Sequence, residues 1–403
     1  MRHQSFDRKD NQALNTAMNE KKEIKNMGEA ARRIKEAVER KERIIVYGDA
    51  DLDGVTSVII CKESIENLGG KVAALYFPDR EIEGYGINKT ALKNLEKYSP
   101  ALILAVDLGI GNFEEIKIAK KIGFDVVIVD HHEILDGLPE ADVIVDPKQP
   151  SDPYPFKLLC AAGLCFRLAE KLLGSKMGKN LRESFAELAA LATLADMMPR
   201  EFENIDIIEE GLETINNSFR PGLRAFFKTD VLDLDSDNFN RRITKIISVL
   251  NIRDMKNGIP AAYKLLCAES VPQAEKLIKE FMLINRERRD KIRSVTEEIE
   301  MSIEEKNEPI IFEGSRDWEL NLLGTIASII CQKHGKPTFI FKTLENESQG
   351  TVRSTDEIDS VALMKNCKDL LLTYGGHPKA SGFRVKNENL GKFKACLIEN
   401  LSR

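Results

Sequence analysis

Four short β-rich runs, RIIVYG (43–48), KVAALYF (71–77), ALILAV (101–106) and FDVVIV (124–129), alternate with helical or polar segments such as TSVIICKESIENLG and NFEEIKIAKKIG. This alternation limits the fold more than any other feature of the chain. Strands alternating with helices build βαβ units, and right-handed crossovers cover both faces of a parallel sheet. Residues 43–147 are therefore expected to form a doubly wound layer. Such sheets bind ligands beyond the carboxyl ends of their strands, and three of the runs lead there into acidic or imidazole groups. The first continues into Asp49, Asp51 and Asp53, the third into Asp107, and the fourth into Asp130, His131 and His132.

If the first strand persists, the alternation of Asp49, Asp51 and Asp53 puts their side chains on one face. Gly54 then lets the chain turn, and a helix begins near Thr56. A DxDxDG string also opens a calcium loop, but the twelfth position, which that loop needs as Glu, is Ile60. A further carboxylate, Asp196, ends the apolar helix AELAALATLAD, where a negative charge opposes the helix dipole. Crowding so many carboxylates is costly unless cations neutralise them. Oxygen ligands with one or two imidazoles suit Mn²⁺ or Mg²⁺ better than the sulfur-rich sites of structural zinc. A carboxylate bridging two ions roughly 3.5–4 Å apart fits hydrolysis at phosphorus.

At 403 residues, 42% of them hydrophobic, the chain suits two or three domains with ordinary cores. Helical periodicity dominates from about 158 to 228. A long helical segment then runs from 271 to about 306, with Leu277, Phe281, Ile284, Ile292, Val295 and Ile299 forming its apolar stripe. The charged turn EEKNE and Pro309 mark the best domain boundary. After it come a helix through LLGTIASIICQKHG, strands near PTFIFK and GTVRS, and a terminal helix LGKFKACLIENL. The expected fold is α/β: an N-terminal helical extension (1–42), a catalytic domain with a doubly wound, mainly parallel sheet (43–270), a connecting helix (271–306) and a smaller mixed α/β domain (307–403). The net charge of −6 argues against a polybasic binder. Seven cysteines, an odd number with no CxxC pair, read as buried free thiols of a reducing cytoplasm. Neither a secretory signal nor an apolar run of roughly 18 residues is found, so a cytoplasmic protein without a membrane partner is expected.

Asp130-His131-His132 after a hydrophobic strand, with DADLDG upstream, resembles the DHH phosphoesterases. GGHPKASGF (375–383) is similar to the GGH motif of the DHHA1 domain that accompanies them. Within that superfamily the chain most resembles the RecJ single-strand-specific exonucleases, through EGYGIN (83–88), DPYPFKLLCAAGLCFRLA (152–169), LATLADMMPREFEN (191–204), RPGLRAFF (220–227) and GTVRS (350–354). The likeness runs from about 43 to 386. It implies that Asp51, Asp53, Asp107, His131 and Asp196 hold two Mn²⁺ (or Mg²⁺) ions, with Asp107 as the bridge. Asp49 and Asp130 enter as ligands or as groups that orient them, and His132 acts on the substrate phosphate, as a proton donor. Arg353, Ser354 and His377 grip the nucleotide's phosphate, with Gly375 and Gly376 allowing close backbone approach. CAAG (160–163) reads as helix-on-sheet packing, and Arg80 and Tyr85 stay open between loop residues and substrate contacts.

The implied activity is removal of 5′-mononucleotides from single-stranded DNA, 5′→3′, in recombination and repair, with single-stranded RNA as a variant substrate. Alternatives are a short-oligonucleotide or cyclic-dinucleotide phosphodiesterase and an inactive replication scaffold. RecJ proteins usually continue into an OB-fold, whereas this chain ends at Arg403, so a single-strand-binding protein is a partner that could replace it. VLNIRDMKNG (249–258) is a compressed form of a RecJ motif in which Asn251 and Arg253 map loosely, and WELN at Trp318 departs from the family's WHxG. The Arg- and Lys-rich stretch 241–293 is either a solvated helix face or a phosphate track.

Overall fold

In the structure, a computed structural model, residues 22–401 are described except 81, 136, 229–237, 253 and 305–307, together with the side chain of His377. Arg253 thus lies outside the described residues. The chain divides into two units, Met1–Met282 and Leu283–Arg403. Strands β1 (Arg43–Gly48), β2 (Val72–Tyr76), β3 (Ala101–Val106), β4 (Phe124–Val129) and β5 (Val143–Val145) form a parallel sheet of order β2-β1-β3-β4-β5. Every residue of β3 is buried, which is why ALILAV is apolar throughout rather than alternating. The fifth strand, VIV, is too short to stand out in the sequence.

Helix α1 (Met27–Glu39) buries Met27, Ala30, Ala31, Ile34 and Ala37, and Asn26 just before it donates to Ile144 O at 2.9 Å. Residues 26–39 are therefore packed into the first unit. Against the sheet lie α2 (Leu52–Asn67), α3 (Lys89–Leu95), α4 (Phe113–Ile122) and α5 (Ala161–Leu173), while α6 (Lys179–Ala195) packs on α2 and α5 and α7 (Glu203–Thr214) packs on α6. Then follow α8 (Pro221–Lys228), α9 (Phe239–Leu250), a small hairpin of β6 (Met255–Lys256) and β7 (Ile259–Pro260), and α10 (Ala261–Leu266). Arg220, at the head of RPGLRAFF, pairs both terminal nitrogens with Glu63 of α2, at 2.9 and 2.6 Å. That string ties α8 to α2.

Helix α11 (Val271–Ile303) is continuous through the division between the units. Its Ile299, Ile292 and Val295 pack with Trp318 and Leu322 in the second unit. That unit contains β8 (Ile311–Ser315), α12 (Leu320–His334), β9 (Thr338–Thr343), β10 (Glu347–Arg353), α13 (Ser360–Lys365), β11 (Leu371–His377), β12 (Ala380–Lys386) and α14 (Leu390–Leu401). The sheet order is β11-β12-β10-β9-β8, with β8 and β9 parallel and the other pairs antiparallel. The mixed sheet packs Phe312, Phe339, Phe341, Phe383 and Phe393 into one core. Among the described residues no helix is long and apolar enough to cross a membrane.

The cysteine reading needs correction. Cys367 and Cys396 form a disulfide, and Cys267 is exposed, leaving Cys61, Cys160, Cys165 and Cys331 as buried thiols. Only the packing of α14 near the end of α13 brings residues 29 positions apart to a Cα separation of 6.1 Å. Gly54 also differs from expectation. It sits within the first turn of α2, where a Cβ would lie 2.4 Å from Asp49 O. Its role is close approach of helix to strand end rather than a turn. Gly54→Ala is expected to lower stability by about 1–3 kcal/mol, read as a fall in the urea midpoint at unchanged slope; an unshifted midpoint contradicts this packing.

Candidate active site

The expectation that Asp49, Asp51 and Asp53 alternate on one strand face is not met, because β1 stops at Gly48. Asp51 is the N-cap of α2, its Oδ1 accepting the Gly54 N–H at 3.1 Å, and Asp53 lies in the helix's first turn. A strand–turn–helix junction thus splits the three carboxylates. Ligand atoms of Asp49, Asp51 and Asp107 lie within 4.8 Å of one another, and those of Asp53, His131 and Asp196 do the same. A third such group joins Asp107, His131 and His132. His131 Nε2 is 3.3 Å from Asp107 Oδ1, 3.6 Å from Asp53 Oδ2 and 3.8 Å from Asp196 Oδ2.

Each group is held by its own element. Asp107 follows β3 with φ of 61°, and its N–H extends the ladder to Val129 O at 3.0 Å. Left-handed backbone is uncommon outside glycine, though Asp tolerates it better than most. Asp196 caps the C-terminus of α6. Asp53 accepts the backbone N–H groups of Ala161 and Ala162, both at 2.8 Å. These belong to the first turn of α5, where free N–H groups and the helix dipole favour an anion. The CAAG string therefore does more than pack helix on sheet: it orients a carboxylate.

Asp130 joins none of the three groups. Its Oδ1 accepts His131 N–H (2.8 Å) and His132 Nδ1–H (2.7 Å), and its Oδ2 accepts Ile110 N–H (3.0 Å). Tyr85 Oη donates to Asp107 O at 3.1 Å and lies 3.2 Å from His132 Nε2. The sequence reading missed Asp146, fully buried just beyond β5, which accepts Lys148 N–H at 2.7 Å. Its signal was ADVIVD, a shorter echo of FDVVIVD with an Asp at the same strand end.

Burial first, and neighbouring carboxylates second, push Asp53 up to about 7 and Asp196 up to about 6, and raise Asp107 well above the carboxylate range. Burial, and then the neighbouring His132, push His131 down to about 4. Burial would lower His132 and raise Asp130, but their mutual hydrogen bond reverses both, so His132 is raised and Asp130 lowered. The donor set fits divalent cations: buried oxygen atoms in excess of nearby positive charge, plus one imidazole whose Nδ1 has no hydrogen-bond partner among the described residues.

In the second unit, register places Arg353 and His377 on either side of Ala380, at one end of β10, β12 and β11. Ser354 follows Arg353, its N–H bonded to Lys379 O at 3.1 Å and its hydroxyl buried without a partner among the described residues. Arg353 donates through Nε to Ser328 Oγ (3.0 Å) and through Nη1 to Thr351 Oγ1 (3.1 Å) and Val352 O (2.9 Å). GGHPKASGF is a tight hairpin. Gly376 has φ of 125°, and a Cβ there would meet Ala380 O at 2.7 Å, so the hairpin itself requires it; the space beside Gly375 is open. The His377 side chain lies outside what the structure describes. In the basic stretch Lys256, Lys291 and Arg293 pair with Glu280, Glu319 and Asp290, which favours the solvated-face reading for those three.

Fold and site together define an α/β protein with paired acidic clusters at one sheet edge and an arginine-bearing mixed-sheet unit. Residues 43–193 match the DHH family N-terminal domain, and residues 307–403 match the DHHA1 domain. It is 34% identical to the single-stranded-DNA-specific exonuclease RecJ of Bacillus subtilis over 94% of its own length and 48% of the relative's. A crystal structure of an exonuclease RecJ bound to manganese superposes with a TM-score of 0.81 at 28% identity, covering 94% of this chain and 95% of that one. RecJ of Thermus thermophilus in complex with Mn²⁺ gives a TM-score of 0.78 at 26% identity, covering 94% and 55%. The chain thus spans about half the length of the B. subtilis relative.

The raised carboxylates bind protons in the folded state that the unfolded chain has already lost. Their stabilising contribution is present at low pH and lost as pH rises through about 6 and 7. His131 acts oppositely, but only between about 4 and its unfolded value near 6.5. The metal-free protein should therefore lose on the order of 1 kcal/mol between pH 6.5 and 8.5. A thermal melt across that range checks this, and added Mn²⁺ should remove the decline; a flat metal-free profile contradicts it. Ala161→Pro, at a first helical position that tolerates proline, removes one N–H from Asp53. It should weaken Mn²⁺ binding about 10–100-fold by calorimetry while the fold, by circular dichroism, persists.

Proposed function

We propose that this protein is a metal-dependent exonuclease that hydrolyses single-stranded DNA 5′→3′ to mononucleotides. The observation that carries the reading is the pair of groups, Asp49–Asp51–Asp107 and Asp53–His131–Asp196, each with ligand atoms within 4.8 Å of one another. These residues would hold two Mn²⁺ or Mg²⁺ ions, which when bound would supply Lewis acidity and acidify a water for attack on phosphorus. Asp130 is the orienting group: both its oxygens accept protein hydrogen bonds, and its bond to His132 raises that imidazole above its ordinary value.

His132 is half exposed and hydrogen-bonded to Asp130, so it can give its proton to the 3′-oxygen that leaves as the P–O bond breaks. Tyr85 steadies the other side of that ring. Arg353 supplies the fixed positive charge for a substrate phosphate, because among the described residues it bonds only neutral oxygens and is free to compensate an anion. Ser354, with its spare hydroxyl, and His377, at the same strand end, complete that phosphate grip, and the open space at Gly375 leaves room for backbone approach. Cytoplasmic recombination and repair of gapped DNA is the setting this chemistry serves, beside a single-strand-binding protein.

The test is digestion of 5′-labelled and 3′-labelled single-stranded DNA with Mn²⁺, beside Asp107→Asn, which keeps a residue that accepts left-handed backbone. Labelled mononucleotide should appear at once from the 5′-labelled strand alone, and the variant should be at least about a hundredfold slower. Cleavage of a dinucleotide with the long strand untouched replaces this reading with a small-substrate phosphodiesterase. Faster loss of an RNA strand reassigns the substrate.

A further inference from the structure

The metal reading leaves one cation of the chain itself to be placed. Arg80 lies beyond β2, with its side chain mostly covered. Its Nε donates to Asp49 Oδ1 at 2.8 Å and its Nη2 to Asp51 Oδ2 at 2.9 Å, and Nη2 also contacts Asp49 Oδ2. The guanidinium carbon stands 5.2 Å from the centroid of the Tyr85 ring, so the group is held by an aromatic face as well as by acids.

Oxygen by oxygen, Asp49 and Asp51 of this group are occupied. Asp51 Oδ1 caps α2 and Asp51 Oδ2 binds Arg80, while both oxygens of Asp49 face the same guanidinium. The other group differs. Among the described residues no Lys or Arg forms an ion pair with Asp53 or Asp196, whose side-chain ion-pair contact is with the His131 imidazole. An ion entering beside Asp53, His131 and Asp196 therefore displaces no protein cation. An ion entering beside Asp49, Asp51 and Asp107 must take oxygen atoms from Arg80 and lie close to a like charge.

We propose that Arg80 is the resident counter-cation of the Asp49–Asp51–Asp107 group and that the two metal sites fill in order, the second ion entering by displacing its guanidinium. Asp53–His131–Asp196 is the first, tighter site. The inference rests on the two-metal reading above. Arg80 is here a positioning residue, since it acts on the ligands rather than on the reacting atoms. The split between the sites keeps four carboxylate oxygens ordered before the second ion arrives.

The experiment is a Mn²⁺ titration of the whole chain, with free Mn²⁺ read by electron paramagnetic resonance and heats by calorimetry. Wild type should bind two ions with separated constants. Arg80→Met should tighten the weaker constant at least about tenfold and narrow the gap; an arginine of merely structural importance would leave it unchanged or weaken it. Arg80→Lys, which keeps the charge but cannot bridge both carboxylates, should tighten it less, and it decides the matter if the Met variant does not fold. Asp196→Asn should remove the tighter step. A weaker constant within twofold of wild type in the folded variants overturns the proposal. Failure of the metal reading looks different: wild type then takes up no Mn²⁺, or Asp107→Asn takes up two ions as wild type does.

Discussion

Repulsion among Asp49, Asp51, Asp53, Asp107 and Asp196 is the constraint around which the first unit is arranged. Three of the five are buried at the carboxyl edge of one parallel sheet, where water cannot screen them. The chain answers with backbone N–H groups on Asp53 and a guanidinium on Asp49 and Asp51, while burial and the neighbouring carboxylates raise the pKa of Asp107, which neither reaches. None of these compensates the whole charge. What remains is an excess of negative charge suited to divalent cations, and that is the physical content of a metal site before any metal arrives.

Precision at the site comes from elements that carry no ligand. Helix α5 contributes two N–H groups, and Asp130 contributes a carboxylate that fixes the His131 backbone and the His132 ring together. Gly54 lets α2 start against the end of β1, which puts Asp51 at the N-cap and Asp53 in the first turn of the helix. Such supporting contacts orient ligands and tune their basicity. In the second unit the same economy applies: Gly324 leaves room for Arg353, whose Nη2 would lie 3.2 Å from a Cβ there, and Ser328 steers the guanidinium from α12.

Much of this was legible in the residues. The sheet's first four strands announced themselves as apolar runs of a length and β-branched content that a buried parallel strand requires. DADLDG, Asp107, DHH and Asp196 could be gathered to one edge because strand ends in a doubly wound sheet share a side. Strand β5 was lost because three residues show no period. Alternation misplaced Asp51 and Asp53, since it assumes a strand that stops at Gly48, after which Asp51, a good N-cap, starts a helix. The grip of CAAG on Asp53 was invisible because it uses backbone N–H groups, which every residue but proline has.

By itself the sequence determined the kinds of chemistry present and the edge on which they gather: local periodicity sets the strands, and connection handedness sets the side. Tertiary structure alone decided how the carboxylates divide into two groups, which of them protein donors saturate, and where Arg80 and the Cys367–Cys396 bond fall. Those outcomes depend on distances between residues remote in the chain. Hydrogen bonds and charge interactions change steeply over an ångström, and no pattern of residue types along the chain records that.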